Sequence, residues 1–254
     1  MIIIYSFIIF FVTCISINFC LANFKKYFLD KTNERSLHIK PTPKGGGILF
    51  SILSSIFLLF LDNPLGLFCL PISVVGLIDD KYNISRKFRY LSQLLSVLIL
   101  FIFSNGFFKS FYINNNYYQL LLLAFILILG TSIINFTNFM DGIDGLVAGS
   151  MIVYFSLFAV SGNIGLVPLI GSLMAFLIFN WDPAKVFMGD VGSTFLGSLY
   201  AGLLLQFTSW NASFTFLVIA SPLFLDALVC LIRRFLKKEN IFKPHRKHLY
   251  QRLI

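Results

Sequence analysis

Charge is scarce in this chain. Only 12% of its 254 residues are Asp, Glu, Lys or Arg, about half the share usual in a soluble domain. Meanwhile 57% are hydrophobic and mean hydropathy is +0.85, which excludes an ordinary soluble domain. Acids are scarcer than bases, 11 against 20. Cysteine is limited to Cys14, Cys20, Cys69 and Cys230, each inside an apolar run. They have no metal-ligand spacing and no polar loop to staple, so they read as core packing. The apolar N-terminus, Ile2 to Leu21, lacks a basic n-region and a small-x-small cleavage site, and is expected to be a retained first helix, not a removed signal peptide. Internal repeats and low-complexity linkers are also missing. One membrane-embedded domain is expected over 1–254.

What is there is a series of apolar segments long enough, or nearly so, to span a bilayer: 2–24, 47–61, 64–78, 90–105, 118–136, 146–161, 163–180, 193–209 and 212–232. The expected fold is all-α, a polytopic integral membrane protein of about nine transmembrane helices. Nineteen of the 20 basic residues fall in alternate connections, and only Lys109 lies on the other side. That asymmetry predicts an N-terminus outside and a C-terminus in the cytoplasm. It also assigns the net charge of +9 to topology, with no nucleic-acid partner. Asp79, Asp80, Asp141, Asp144, Asp182 and Asp190 all map to the same cytoplasmic ends. A transporter built on inverted repeats would usually place its broken helices near mid-membrane. Polar groups gathered at one face favour an enzyme whose active site opens to the cytoplasm.

The stretch from Asn135 to Leu146 interrupts two apolar runs with Asn138, Asp141 and Asp144 at three-residue spacing and with Gly142 and Gly145 between them. Acids at a membrane boundary are costly and usually functional. One helical turn puts Asn138 and Asp141 on one side, and the glycines let the chain break and approach a ligand. Oxygen ligands beside a glycine turn suit Mg²⁺ held together with substrate phosphates; a polar inter-helix loop is the plainer alternative. Pro41-Thr-Pro-Lys44-Gly-Gly-Gly47 fixes an extended run and then frees backbone amides beside a lysine. That pattern fits an anion cradle or a simple loop-to-helix transition. Asp79-Asp80 closes the third segment, with Arg89 ten residues on. Adjacent carboxylates raise one another's proton affinity unless a cation is near. Asp190 lies between Gly189 and Gly192 before an apolar helix that Ser193 and Thr194 could cap. His245-Arg-Lys-His248 has the spacing of a metal pair, but the surrounding cations fit phosphate recognition better. A basic tail drawn to anionic lipid is the alternative.

In this order the motifs resemble those of the polyprenyl-phosphate N-acetylhexosamine-1-phosphate transferases. The matching pieces are Pro41 to Gly47, Asp79-Asp80, Asn138-x-x-Asp141-Gly-x-Asp144-Gly145, Gly189-Asp190-x-Gly-Ser and the terminal His-x-x-His loop. The ending His-Arg-Lys-His-Leu-Tyr-Gln-Arg-Leu looks most like the O-antigen-type branch. The resemblance implies transfer of an N-acetylhexosamine-1-phosphate from a UDP-sugar to undecaprenyl phosphate at the bacterial inner membrane, with release of UMP. It further implies Mg²⁺, with Mn²⁺ as a substitute, on Asn138 and Asp190, and a catalytic set of Asp79, Asp80 and Asp190. Lys44, Arg89, Asp141, the Gly142 backbone, Asp144, His245, Arg246 and His248 would contact substrate. A homodimer is left open. Relatives continue past the histidine loop into at least one more helix, whereas this chain stops at Ile254. The loop is therefore expected to be tethered only at its start, and a non-catalytic relative that binds polyprenyl phosphate or partner enzymes stays the alternative.

Overall fold

A computed structural model describes residues 1–30, 41–114 and 116–239. The protein is an all-α polytopic membrane protein, and 81% of the described residues are helical. Among the described residues eleven α-helices follow one another: α1 Ile2–Tyr27, α2 Gly47–Phe60, α3 Leu65–Tyr82, α4 Arg86–Phe103, α5 Phe107–Asn114, α6 Gln119–Met140, α7 Leu146–Val160, α8 Val167–Asn180, α9 Gly189–Gln206, α10 Trp210–Ile219 and α11 Ser221–Leu236. Two short strands, β1 Leu29–Asp30 and β2 Thr42–Pro43, pair antiparallel with Asp30 opposite Thr42.

Each expected apolar segment contains a helix, with two differences. The chain after α4 bends by 81° into α5, and the expected segment 212–232 is broken into α10 and α11 at 73°. The second break follows from Ser221-Pro222. Pro222 lies in the first turn of α11, where a missing N–H is harmless, but it cannot continue a straight helix from α10. Among the described residues two helices, α1 and α6, are long and apolar enough to cross a bilayer alone, or four if each bent pair is one span; α2, α7 and 164–180 are apolar but shorter.

α9 is the axis of the bundle. All its residues from Val191 to Leu205 are buried, and it touches α2, α3, α4, α5, α6 and α10. A helix apolar on every side belongs in a core, and here small residues such as Gly192, Ser193, Gly197 and Ser198 allow close backbone approach. The tightest approach is to the start of α2, where a Cβ on Gly47 would collide with the Gly192 Cα. By contrast α1 lies outermost. It presents Ile4, Phe7, Phe11, Ile15 and Phe19 outward and is tied to α8 by a 2.9 Å bond between Thr13 Oγ1 and Ser172 Oγ.

The corner between α3 and α4 sets the direction of Arg89. Asn83 ends α3 in the left-handed conformation, φ 49°, which asparagine tolerates well. Ser85 then caps α4, its Oγ accepting from Phe88 N at 3.4 Å. At this end of the bundle the C-termini of α3, α6 and α8 meet the N-termini of α2, α4, α7 and α9.

Candidate active site

The acidic pair at the end of α3 is divided between two neighbours. Buried Asp79 uses both carboxylate oxygens: Oδ1 accepts from Ile84 N at 2.8 Å and Oδ2 from Arg89 Nη1 at 2.7 Å. It thereby closes the corner and fixes the guanidinium in one act. The same Nη1 lies 3.7 Å from Asp190 Oδ2. On the far side of Asp190, Asn138 Nδ2 donates to Oδ1 at 2.9 Å and also to Ser193 Oγ at 2.9 Å. Asp190 thus lies between Arg89 of α4 and Asn138 of α6.

Asp80 faces the start of α9. Its carboxylate accepts from the backbone of Asp190 and, through Oδ2, from Val191 N at 3.2 Å, two of the amides that a helix N-terminus leaves without partners. Gly189 makes this approach possible: its φ is +73°, and a Cβ there would strike Asp80 Oδ2. The expected caps, Ser193 and Thr194, do something else. They donate back to Gly189 O at 3.1 Å and Asp190 O at 2.6 Å, because the helix begins at Gly189 and they already lie inside it.

So many carboxyls in one place resist ionisation. Asp190, before the 193–209 segment, is pushed up to about 7 by burial first, then by the Asp80 charge and by a hydrogen bond with Asp79 that needs its proton; the Asn138 amide opposes this. Asp80 is raised to about 6, again by burial first, against the two α9 amides and Lys44. Asp141, at the end of α6, is held well above the usual carboxylate range by burial and by the charges of Asp190 and Asp80. Lys44 is paired with Asp30, its Nζ 3.1 Å from Asp30 Oδ1. Burial works against its charge, but Asp30, Asp80 and Asp190 outweigh that and hold it protonated.

A second group of contacts joins the 141–145 turn to the 181–188 loop. Asp144 Oδ2 accepts from Ala184 N at 2.8 Å, and Asn180 Oδ1 accepts from Gly145 N at 3.1 Å while its Nδ2 donates to Val186 O at 3.1 Å. Asn180 is buried, and its positioning role escaped the sequence reading, which also took Ser193 only for a cap and missed its bond with Asn138. The available signal was an amide closing the apolar run of α8, since a buried amide must find partners. Asn180→Ala would leave two backbone groups without partners, and is expected to destabilise by about 2–4 kcal/mol. Thermal unfolding in detergent checks this, with Asn180→Asp, which retains only the acceptor, falling between.

The glycine run does not form a free anion cradle. Gly46 N donates to Phe187 O and Gly47 N to Met188 O, each at 3.0 Å, while Lys44 N donates to Phe28 O at 2.7 Å. With those amides committed, the loop holds residues 187–188 in place and presents the Lys44 side chain. Six of the expected residues, Lys44, Asp79, Asp80, Arg89, Asn138 and Asp190, come together, with Asp141 within electrostatic reach. Gly142, exposed, and Asp144 belong to the adjoining turn. His245, Arg246 and His248 lie outside the described residues.

Among the described residues no three His, Cys, Asp or Glu side chains form a ready cage. Mg²⁺ does not require one, because it is usually held by one or two carboxylates, with waters and substrate phosphates completing its shell. Asp190 supplies a carboxylate whose proton affinity is raised by its neighbours, and Asn138 an amide whose nitrogen alone is committed among the described residues. These oxygens fit a hard cation.

Fold and site define an integral membrane protein whose polar chemistry is gathered where its helices end. The family model described as glycosyl transferase family 4 matches residues 64–208, and the chain belongs to that family. It is 31% identical over 253 residues to the probable undecaprenyl-phosphate N-acetylglucosaminyl 1-phosphate transferase of Bacillus subtilis (strain 168), covering 89% of this chain and 69% of the relative. A Thermotoga maritima undecaprenyl-phosphate alpha-N-acetylglucosaminyl 1-phosphate transferase is 30% identical over 226 residues, covering 89% and 72%. A phospho-N-acetylmuramoyl-pentapeptide-transferase of Staphylococcus epidermidis (strain ATCC 35984) is 28% identical over 248 residues, covering 81% and 75%.

Proposed function

We propose that this protein transfers an N-acetylhexosamine-1-phosphate from a UDP-sugar to undecaprenyl phosphate at the cytoplasmic face of a bacterial membrane, an initiating step of cell-envelope glycan synthesis. One observation carries the reading: Arg89 lies between Asp79 and Asp190, and Lys44 is within electrostatic reach of Asp80 and Asp190, at the ends of membrane helices. Two polyanions must meet in this reaction, and a site at the bilayer edge admits a lipid phosphate while its tail stays in the membrane.

An oxygen of the lipid phosphate attacks the β-phosphorus of the donor. The bond from that phosphorus to the oxygen bridging to the α-phosphorus breaks, and UMP leaves with the bridging oxygen. Arg89 and Lys44 neutralise the phosphates, and positioned charge of this kind supplies most of the catalysis in phosphoryl transfer. The two acids are given different roles because their contacts differ. Asp79 orients Arg89. Asp80, raised to about 6, matches the second proton of a phosphate monoester, near 6, and accepts it from a monoanionic lipid phosphate. A Mg²⁺ ion bound by Asp190 and Asn138 would withdraw charge from the pyrophosphate. Asp141, Asp144, the Gly142 backbone and the His245–His248 segment are assigned to donor recognition, and the histidine segment to choice of sugar.

The test uses purified protein, undecaprenyl phosphate, a panel of UDP-N-acetylhexosamines and Mg²⁺, and reads UMP. Release with one donor and its loss in EDTA are expected; silence across the panel from folded protein rejects the reading. A pH dependence follows as well. Because Asp190 and Asp80 bind protons more tightly folded than unfolded, metal-free stability falls as pH rises from about 4 to about 7. Bound cation needs Asp190 ionised, so the rise in Tm on adding Mg²⁺ is expected to be small near about pH 5 and to grow through about pH 7. A flat dependence rejects Asp190 as ligand.

A further inference from the structure

The interface between α4 and α6 holds a polar contact that the proposed chemistry does not use. Gln93 Nε2 donates to Asn135 Oδ1 at 3.1 Å, and Asn135 Nδ2 donates to Gln93 Oε1 at 2.7 Å. Asn135 Nδ2 also donates to Thr131 O at 2.9 Å, so both amide hydrogens are in use and the side chain is fixed. Gln93 is buried. The couple lies one helical turn inward from the site on both helices. Gln93 follows Arg89 by four positions and Asn135 precedes Asn138 by three, spacings that keep each pair on one helix face. Arg89 and Asn138 are the two side chains that hold Asp190 from opposite sides. Farther inward, at Val97 and Gly130, the helices come so close that a Cβ on Gly130 would lie 2.6 Å from Val97 Cγ1.

We infer that Gln93 and Asn135 form a positioning pair that sets the register of α4 against α6 and so holds Arg89 and Asn138 at the separation at which both reach Asp190. The inference rests on the reading of Asp190 given above. Between helices surrounded by lipid, apolar side chains gain little by meeting each other in place of lipid tails. The Val97–Gly130 contact therefore limits how near the helices come but leaves rotation and sliding weakly specified. A reciprocal amide couple is satisfied in one register only. Slipping one helix by a single residue moves its side chains about 1.5 Å along the axis and about 100° around it, which takes Arg89 out of reach of Asp190. A bond serving stability alone would do equally well anywhere along the interface; this one lies a single turn from both partners of Asp190.

The deciding variant is Gln93→Leu with Asn135→Leu in the full chain, which removes the couple without orphaning either amide. A purely stabilising role predicts parental activity wherever Tm is retained. The positioning role predicts retained Tm, KM values for both substrates near parental, and a kcat lowered by about 10–100-fold, the range seen when partners that orient metal ligands are removed. Mn²⁺ affinity, read by electron paramagnetic resonance, is expected to fall about tenfold. The exchange Gln93→Asn with Asn135→Gln preserves the summed reach of the couple and is expected to restore most of kcat, while each single length change does not. A double-leucine variant with parental kcat and Mn²⁺ affinity overturns the inference, as does an exchange no better than its single components. A parent that releases no UMP would defeat the proposed reaction, whereas the Mn²⁺ comparison would still decide the positioning role.

Discussion

Asp190→Asn is expected to lower UMP release by about 10³-fold with no loss of thermal stability. The two halves of this result have one cause. Asparagine matches aspartate in shape, and its Oδ1 can still accept the bond from Asn138 Nδ2, so the α6–α9 contact at 2.9 Å has no reason to open. What disappears is a charge in a crowded place. Asp190 raises the proton affinity of Asp141 and is itself raised by Asp80 and Asp79. Removing it relieves repulsion, so Tm should hold or rise. The same charge is what a divalent cation on the pyrophosphate would be attached to, so the chemistry suffers while the fold does not. UMP release within about tenfold of the parent would remove Asp190 from the reaction; a fall in Tm matching the fall in rate would make its role structural. Asp79→Asn is a useful contrast. An amide can still accept from Ile84 N but loses the charge that holds Arg89 at 2.7 Å, so there both the guanidinium and Tm are expected to move.

The candidate site was legible because it is made of polar residues where apolar ones are the rule. Asp79-Asp80, Asn138, Asp141 and Asp190 stand out against their flanks, and charge asymmetry placed them at one face before any packing was known. The pairings were not legible. The cap of α9 comes from Asp80, 111 positions earlier in the chain, whereas local rules point to Ser193 and Thr194, which bond instead to the preceding turn. The glycine run before α2 shows the same limit. Its amides resemble an anion cradle until the 181–188 loop arrives and occupies them. The break at Ser221-Pro222, by contrast, was readable in the sequence. An apolar run of spanning length obscured it, since hydropathy counts residues and is blind to the proline at a helix start. Asn180 and the Gln93–Asn135 couple are harder still, because an amide in an apolar segment announces a partner without naming it.

Gly189→Ala tests whether the close approach of α3 and α9 builds the site. The backbone there has φ +73°, a conformation that costs an ordinary residue about 1–2 kcal/mol. The added methyl also has nowhere to go, since it meets the Asp80 carboxylate that caps α9. Losing a cap costs about 0.5–2 kcal/mol, so a destabilisation of about 2–4 kcal/mol is expected, together with a loss of activity greater than the lowered stability explains. Gly149→Ala is the internal control. Gly149 is also a glycine of this membrane bundle, inside α7, but nothing lies within 4 Å of its added Cβ. Alanine there should raise Tm slightly, because it improves helix propensity by up to about 1 kcal/mol. If the two substitutions behaved alike, the position of Gly189 would be ordinary and Asp80 would not be held by α9. Opposite signs would mean that the carboxylate expected to take the lipid phosphate's proton is aimed by a missing side chain on the neighbouring helix.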